Sequence, residues 1–271
     1  MSDLGANANI TEAEFRDVLD KVEEILRKVD TYAQSLFDRA NQALVLLPAA
    51  LTGNLQQSLT QLRELIARFY AELTKITLNP GWPPGLVAAA NTWTSEVGGP
   101  ISALVGKVGP DQMPVDLQWN GPAAEAYAAT VPAQQKAMEG IQQAVSVLDG
   151  NLKKTAIGIV MMWIAALAAL ATFVLELAAE ATAAGTIVGA PAAAAAAGAS
   201  TGKVVVLISA SIGAMLAYAA LITDSIAAIN QTIEANGPYP GGNWPRSTTA
   251  LFNDGSLSDG DKTDWRVDTH D

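Results

Sequence analysis

Apolar residues recur along the first third of the chain at alternating steps of three and four. The first stripe is Phe15, Val18, Val22, Ile25, Val29, Tyr32, Leu36 and Ala40. That spacing predicts a helix with a coiled-coil-like seam, its other faces filled by Asp17, Lys21, Glu24 and Lys28. Thr11 followed by Glu14 is a capping box, flanked by Ile10 and Phe15 at the staple positions. Pro48 and Gly53 are expected to end the run. A second stripe, Leu55, Leu59, Leu62, Ile66, Phe69, Leu73 and Ile76, predicts a helix from about Asn54 to Thr77. Two such stripes across a short Pro/Gly link predict an antiparallel hairpin over residues 11–78.

Asn79-Pro80-Gly81-Trp82-Pro83-Pro84-Gly85 reads as a rigid turn. A third helix is expected from about Leu86 to Val108, kinked or split at Gly98-Gly99-Pro100, because proline removes a donor and clashes with the preceding turn. After a proline-containing loop, a fourth helix is expected from Pro122, which suits a first turn, towards Lys154. A bend is expected at Pro132. Thr155 to Leu175 then contains no charged residue. At about 1.5 Å per residue it makes a helix roughly 31 Å long, close to the ~30 Å hydrocarbon thickness of a bilayer. Val204 to Thr223 is a second uncharged run, separated from the first by the Ala/Gly-rich stretch Gly185 to Gly202. Beyond Asn236 the chain is polar, with Pro238, Pro240, Gly241 and Gly242, and is expected to be irregular or disordered. No strand-like alternation stands out. The fold class that follows is all-α: an elongated antiparallel helical bundle with an apolar helical hairpin and an irregular C-terminal tail. The expected segments are 11–78, 86–154, 155–236 and 237–271.

Composition sharpens this picture. Half of the 271 residues are hydrophobic and few are aromatic, so alanine and leucine dominate and favour helix. The net charge of −11 argues against binding nucleic-acid phosphates or anionic lipid headgroups by bulk electrostatics. There is no cysteine, which excludes disulfides, thiolate nucleophiles and zinc–thiolate sites. His270, the lone histidine, is next to last; a catalytic triad needs a rigidly held base, and a histidine zinc site lacks its other ligands. Glu23-Glu24 and Glu12/Glu14 fall on charged helix faces and read as solvated surface. Gly198-Ala199-Ser200-Thr201-Gly202-Lys203 imitates a phosphate-binding loop, but its glycines are one residue too close, Val204 stands where Ser or Thr is required, and no strand precedes it. No catalytic, cofactor-binding or metal-binding residue is nominated, and no cofactor is implied.

One motif carries more weight. Trp119-Asn120-Gly121 lies between two helical segments and is followed by Pro122-Ala123-Ala124-Glu125-Ala126-Tyr127. Over about Leu86 to Leu152 the chain resembles the W-x-G family of type VII (ESX-type) secretion proteins, and in length a long actinobacterial-type member. The resemblance implies that Trp119 and Gly121 form the turn between two long antiparallel helices. Glycine allows the tight path, and tryptophan packs against the hairpin or a partner. It also implies a protein partner, either a small W-x-G helical protein or a second copy. The chain departs from the family in its extra N-terminal hairpin, its apolar C-terminal hairpin, and the absence of a Tyr-x-x-x-Asp/Glu export signal in the C-terminal region: Tyr218 is followed by Ile222 and Tyr239 by Asn243. Met1 to Asn9 has no basic n-region or apolar h-region, so a signal-peptide-independent route to secretion or the cell surface is expected.

For the apolar hairpin three readings stand side by side: a soluble core, a constitutive membrane span, and insertion on contact with membrane. In the last two the contacts fall to Met161, Met162, Trp163, Ile164, Leu167, Leu170 and Phe173 on the first run, and to Val206, Leu207, Ile208, Ile212, Met215 and Leu216 on the second. Lys153 and Lys154 favour a cytoplasmic start in an integral membrane protein. The expected function is that of a non-enzymatic secreted or surface-associated helical protein of a type VII pathway, acting through protein or membrane contacts. The alternative is an α-helical pore-forming or membrane-inserting protein.

Overall fold

The structure is a computed structural model of the chain. It describes residues 10–109, 119–120, 122–234, 238–246 and 266–267, with only the backbone at 119–120, 122–123, 232–234 and 266–267. The architecture is an all-α helical bundle. Its helices are α1 (Glu12–Leu46), α2 (Ala49–Thr77), α3 (Pro83–Trp93), α4 (Gly99–Val105), α5 (Pro122–Ala183) and α6 (Ala190–Glu234).

The Thr11 hydroxyl accepts from the Glu14 N–H while the Glu14 carboxylate accepts from the Thr11 N–H at 2.8 Å, so the capping box starts α1. The link to α2 is shorter than the expected Pro48–Gly53 boundary. Pro48 is the N-cap of α2, where its missing N–H costs no bond, and Gly53 lies inside the helix. Between α3 and α4 the chain makes a π-helical turn, Thr94–Gly98. The Gly99 N–H bonds Thr94 five residues back; Pro100 has no N–H with which to continue the ordinary ladder, and the extra residue in the turn absorbs the break. The helix α5 runs through Pro132 without ending. The stretch from Ala190 to Gly202, expected as a link, is already helix, so the connection between α5 and α6 is only residues 184–189.

The described chain forms two compact units. The first comprises Met1–Val87 and Lys154–Ala220, the second Ala88–Lys153 and Leu221–Asp271. The N-terminal hairpin and most of the apolar hairpin therefore share one unit. In that unit the indole N–H of Trp163 donates to the Pro80 carbonyl at 2.8 Å. Further along, Phe173 meets Phe69 with ring centroids 5.3 Å apart, and Arg39 donates to the Ala181 carbonyl at 2.8 Å. These contacts lay the 154–183 part of α5 antiparallel to α2 and parallel to α1. The 190–220 part of α6 returns alongside α2, with Gly198 near Leu65 and Ser209 near Glu72. The result is a four-helix arrangement whose core joins Phe15, Val29 and Leu36 of α1, Leu55, Leu62 and Phe69 of α2, Trp163, Leu170 and Phe173 of α5, and Ile208 of α6. Burying each such side chain contributes roughly 1.5–3 kcal/mol. Alanines 181, 184, 190, 193, 194 and 197 are buried at the closing end, where small side chains let the helices approach.

In the second unit, Thr94 bonds Asp149 at 2.9 Å and Ser102 accepts from Gln142 at 3.3 Å. A Cβ on Gly98 would lie 3.1 Å from Val145. The 88–105 segment thus runs antiparallel to the 122–153 part of α5. Residues 238–246, expected in an irregular tail, are seated on α5: the Tyr239 hydroxyl donates to the Ala137 carbonyl at 2.5 Å, and Gln134 donates to the Pro245 carbonyl at 3.1 Å. A short antiparallel ladder pairs Trp119 with Val267 and Asn120 with Arg266.

Candidate membrane-contact surface

The two uncharged runs are nearly equal in hydropathy, and both helices are long and apolar enough to cross a membrane. They differ in burial. Of the most apolar stretch of α5, 44% is buried, against 6% for that of α6.

The thirteen apolar residues nominated from the sequence separate into three groups. Trp163, Leu167, Leu170 and Phe173 on α5 and Ile208 on α6 lie in the core. Met162, Ile164, Ile212 and Met215 are half-buried and pack against that core. Met161, Val206, Leu207 and Leu216 are exposed, with Val206 at 67% and Leu216 at 66%. The indole of Trp163 explains its own placement. A tryptophan N–H needs an acceptor when buried, and the Pro80 carbonyl supplies one at the α2–α3 turn. That turn is made possible by Gly81, whose φ of +76° is open to glycine and whose missing side chain makes room for Ile159.

On α6 the exposed face continues beyond the nominated residues. Ala210, Gly213, Ala214 and Ala217 are exposed between Val206 and Ala220. No sequence signal singles them out, because α6 is apolar on every face here and periodicity marks none of them. Soluble monomers rarely leave a long contiguous apolar strip facing water, and such strips mark protein or membrane contact sites. Between the 165–176 part of α5 and the 200–211 part of α6 lies a shallow groove of about 360 Å³, and a second of about 380 Å³ is lined by Gly158, Met162, Met215 and Tyr218.

Polar clasps hold the ends of the two runs in register. Lys203 pairs with Glu176 at 3.0 Å, and the Ser200 hydroxyl donates to Glu180 at 2.6 Å. At the other end Gly158 lies against Met215 and Tyr218. Lys203, the residue that would bind phosphate in a nucleotide loop, sits within a continuous helix rather than after a strand. Among the described residues no three metal-ligating side chains come together. The backbone of Trp119 is described, but Gly121 and His270 lie outside the described residues. Comparison of the chain with protein-family models, with curated proteins and with solved structures finds no match.

Proposed function

We propose that this chain is a non-enzymatic, secreted or surface-associated helical protein of a type VII pathway, and that it acts by bringing its 155–223 hairpin into a lipid bilayer. The observation that carries the action is the exposed, uncharged face of α6, where Val206, Leu207 and Leu216 stand in water within a run long enough to span hydrocarbon. A buried α5 run beside it fits conditional insertion better than permanent residence. Trp163, Leu170 and Phe173 have partners in a soluble core and would have to leave them. The secretion route rests on the Trp119-Asn120-Gly121 triplet and the small-residue run after it.

Two experiments test the two halves separately. The purified full chain, prepared without detergent, is expected to be soluble, to float with phosphatidylcholine vesicles and to release an entrapped dye. A soluble chain that ignores vesicles at neutral and acidic pH would remove the membrane action. Export is expected from cells with a working type VII apparatus and not from cells in which its ATPase is disabled. Equal export from both would remove the pathway.

A further inference from the structure

From Thr155 to Thr223 the chain carries only three charged side chains, Glu176, Glu180 and Lys203, and all three stand at the closing end of the apolar hairpin. Glu176 and Lys203 neutralise each other across the two helices at 3.0 Å. Among the described residues Glu180 has no such partner. Its carboxylate accepts one hydrogen bond, from Ser200 at 2.6 Å, and its second oxygen is buried without a hydrogen-bond partner among the described residues. The hairpin therefore carries one net negative charge, wedged between α5 and α6.

We infer that Glu180 is an acid-operated latch on the hairpin: in its ionised form it holds the closing end at the protein surface, and taking up a proton releases that end to enter the bilayer. The inference rests on the membrane action proposed above. If both uncharged runs span the bilayer, the end that joins them must pass through hydrocarbon. The Glu176–Lys203 pair passes with no net charge, whereas an ionised Glu180 is strongly resisted there. The latch charge lies outside both uncharged runs, and burial together with the neighbouring Glu176 raises its affinity for a proton, while the Ser200 hydrogen bond acts in the opposite sense. The other charges around it are Lys203 on α6, engaged with Glu176, and Arg39 on α1, whose guanidinium bonds the adjacent Ala181 carbonyl. On α2, where Leu65 lies near Gly198, Glu64 and Arg68 are exposed to solvent.

The test uses the full chain, phosphatidylcholine vesicles with entrapped dye, and a titration from neutral to mildly acidic pH. Leakage by the unaltered protein is expected to rise as pH falls. Glu180→Gln keeps the shape and a hydrogen-bond acceptor for Ser200, and is expected to leak at neutral pH with the acid step gone. Ser200→Ala keeps the carboxylate but removes the donor that favours its ionised form, so its leakage midpoint is expected to move to higher pH. Should Glu180→Gln lose its helical circular dichroism, the direction of the Ser200→Ala shift decides. Leakage by the unaltered protein at every pH, an acid step retained by Glu180→Gln, or a Ser200→Ala midpoint that is unmoved or lower would each overturn the latch and leave the membrane action standing. Vesicles untouched by all three proteins at every pH would overturn both.

Discussion

The runs 155–175 and 204–223 are matched in length, charge and hydropathy, yet they occupy opposite environments. On α5, Trp163, Leu170 and Phe173 are fully buried; on α6, Val206, Leu207 and Leu216 face water. The difference is one of partners. The α5 run lies between α1 and α2, with an aromatic contact at Phe69 and an acceptor at Pro80. The α6 run meets the bundle along one edge, through Ile208 and the half-buried Ile212 and Met215. Hydropathy alone measures what a segment can do in either environment. Which environment it receives depends on how many faces its neighbours cover.

The sharpest way to break this contrast is to place the same charge on each run. Ala166 has no exposed surface, so Ala166→Asp buries an unpaired carboxylate and is expected to cost more than about 4 kcal/mol, enough to lose the cooperative transition in plain buffer. Ala217 is exposed. Ala217→Asp is expected to cost only the helix propensity difference of about 0.7 kcal/mol, keeping its circular dichroism while losing vesicle binding, because the charge costs about 2.5–3.5 kcal/mol in a bilayer. Equal damage to the two variants in buffer would mean that α6 is as enclosed as α5.

Truncation refines the comparison without introducing charge. Phe173→Ala removes a ring from the α2–α5 contact and is expected to destabilise by about 3–5 kcal/mol in urea unfolding. Leu216→Ala is expected to stay within about 0.5 kcal/mol. A Leu216→Ala loss near that of Phe173→Ala would contradict the exposed face.

The turn that anchors α5 offers a smaller effect. Gly81→Ala places a Cβ at a φ of +76° and 2.9 Å from the Ile159 side chain. It is expected to cost about 1–2 kcal/mol from backbone strain, with a change in Trp163 fluorescence as the Pro80 carbonyl shifts. Wild-type stability and an unchanged spectrum would show that the anchor is not taut. Smallest of all is the α6 edge. Ser209 lies near Glu72 of α2, and Ser209→Ala is expected to cost no more than about 0.5 kcal/mol in the same urea assay. A loss several times larger would make this polar contact a main attachment of α6.

Much of the helical content is legible in the order of residues alone. The capping box at Thr11 and Glu14, the heptad-like seams of α1 and α2, the break at Gly98-Gly99-Pro100 and both long uncharged runs are local signals, each complete within a few turns of helix. Periodicity also nominates the thirteen apolar residues of the hairpin. It cannot sort them, because on a helix that is apolar all round every face gives the same signal. Nor can it foresee that 238–246 is seated on α5, since the Tyr239–Ala137 and Gln134–Pro245 contacts join residues about a hundred positions apart.

What the sequence determined by itself was therefore most of the helical content, the −11 charge and absence of cysteine, and the presence of two uncharged segments long enough to span hydrocarbon. Tertiary structure alone decided which of those segments is covered. It brought Trp163 to a carbonyl freed by a glycine turn and Phe173 to Phe69, it paired Glu176 with Lys203, and among the described residues it gave Glu180 no cation. The physical reason is that backbone hydrogen bonds in a helix close within four residues, so helix formation can be read locally. Burial and charge pairing are properties of surfaces that meet only once distant parts of the chain have packed together.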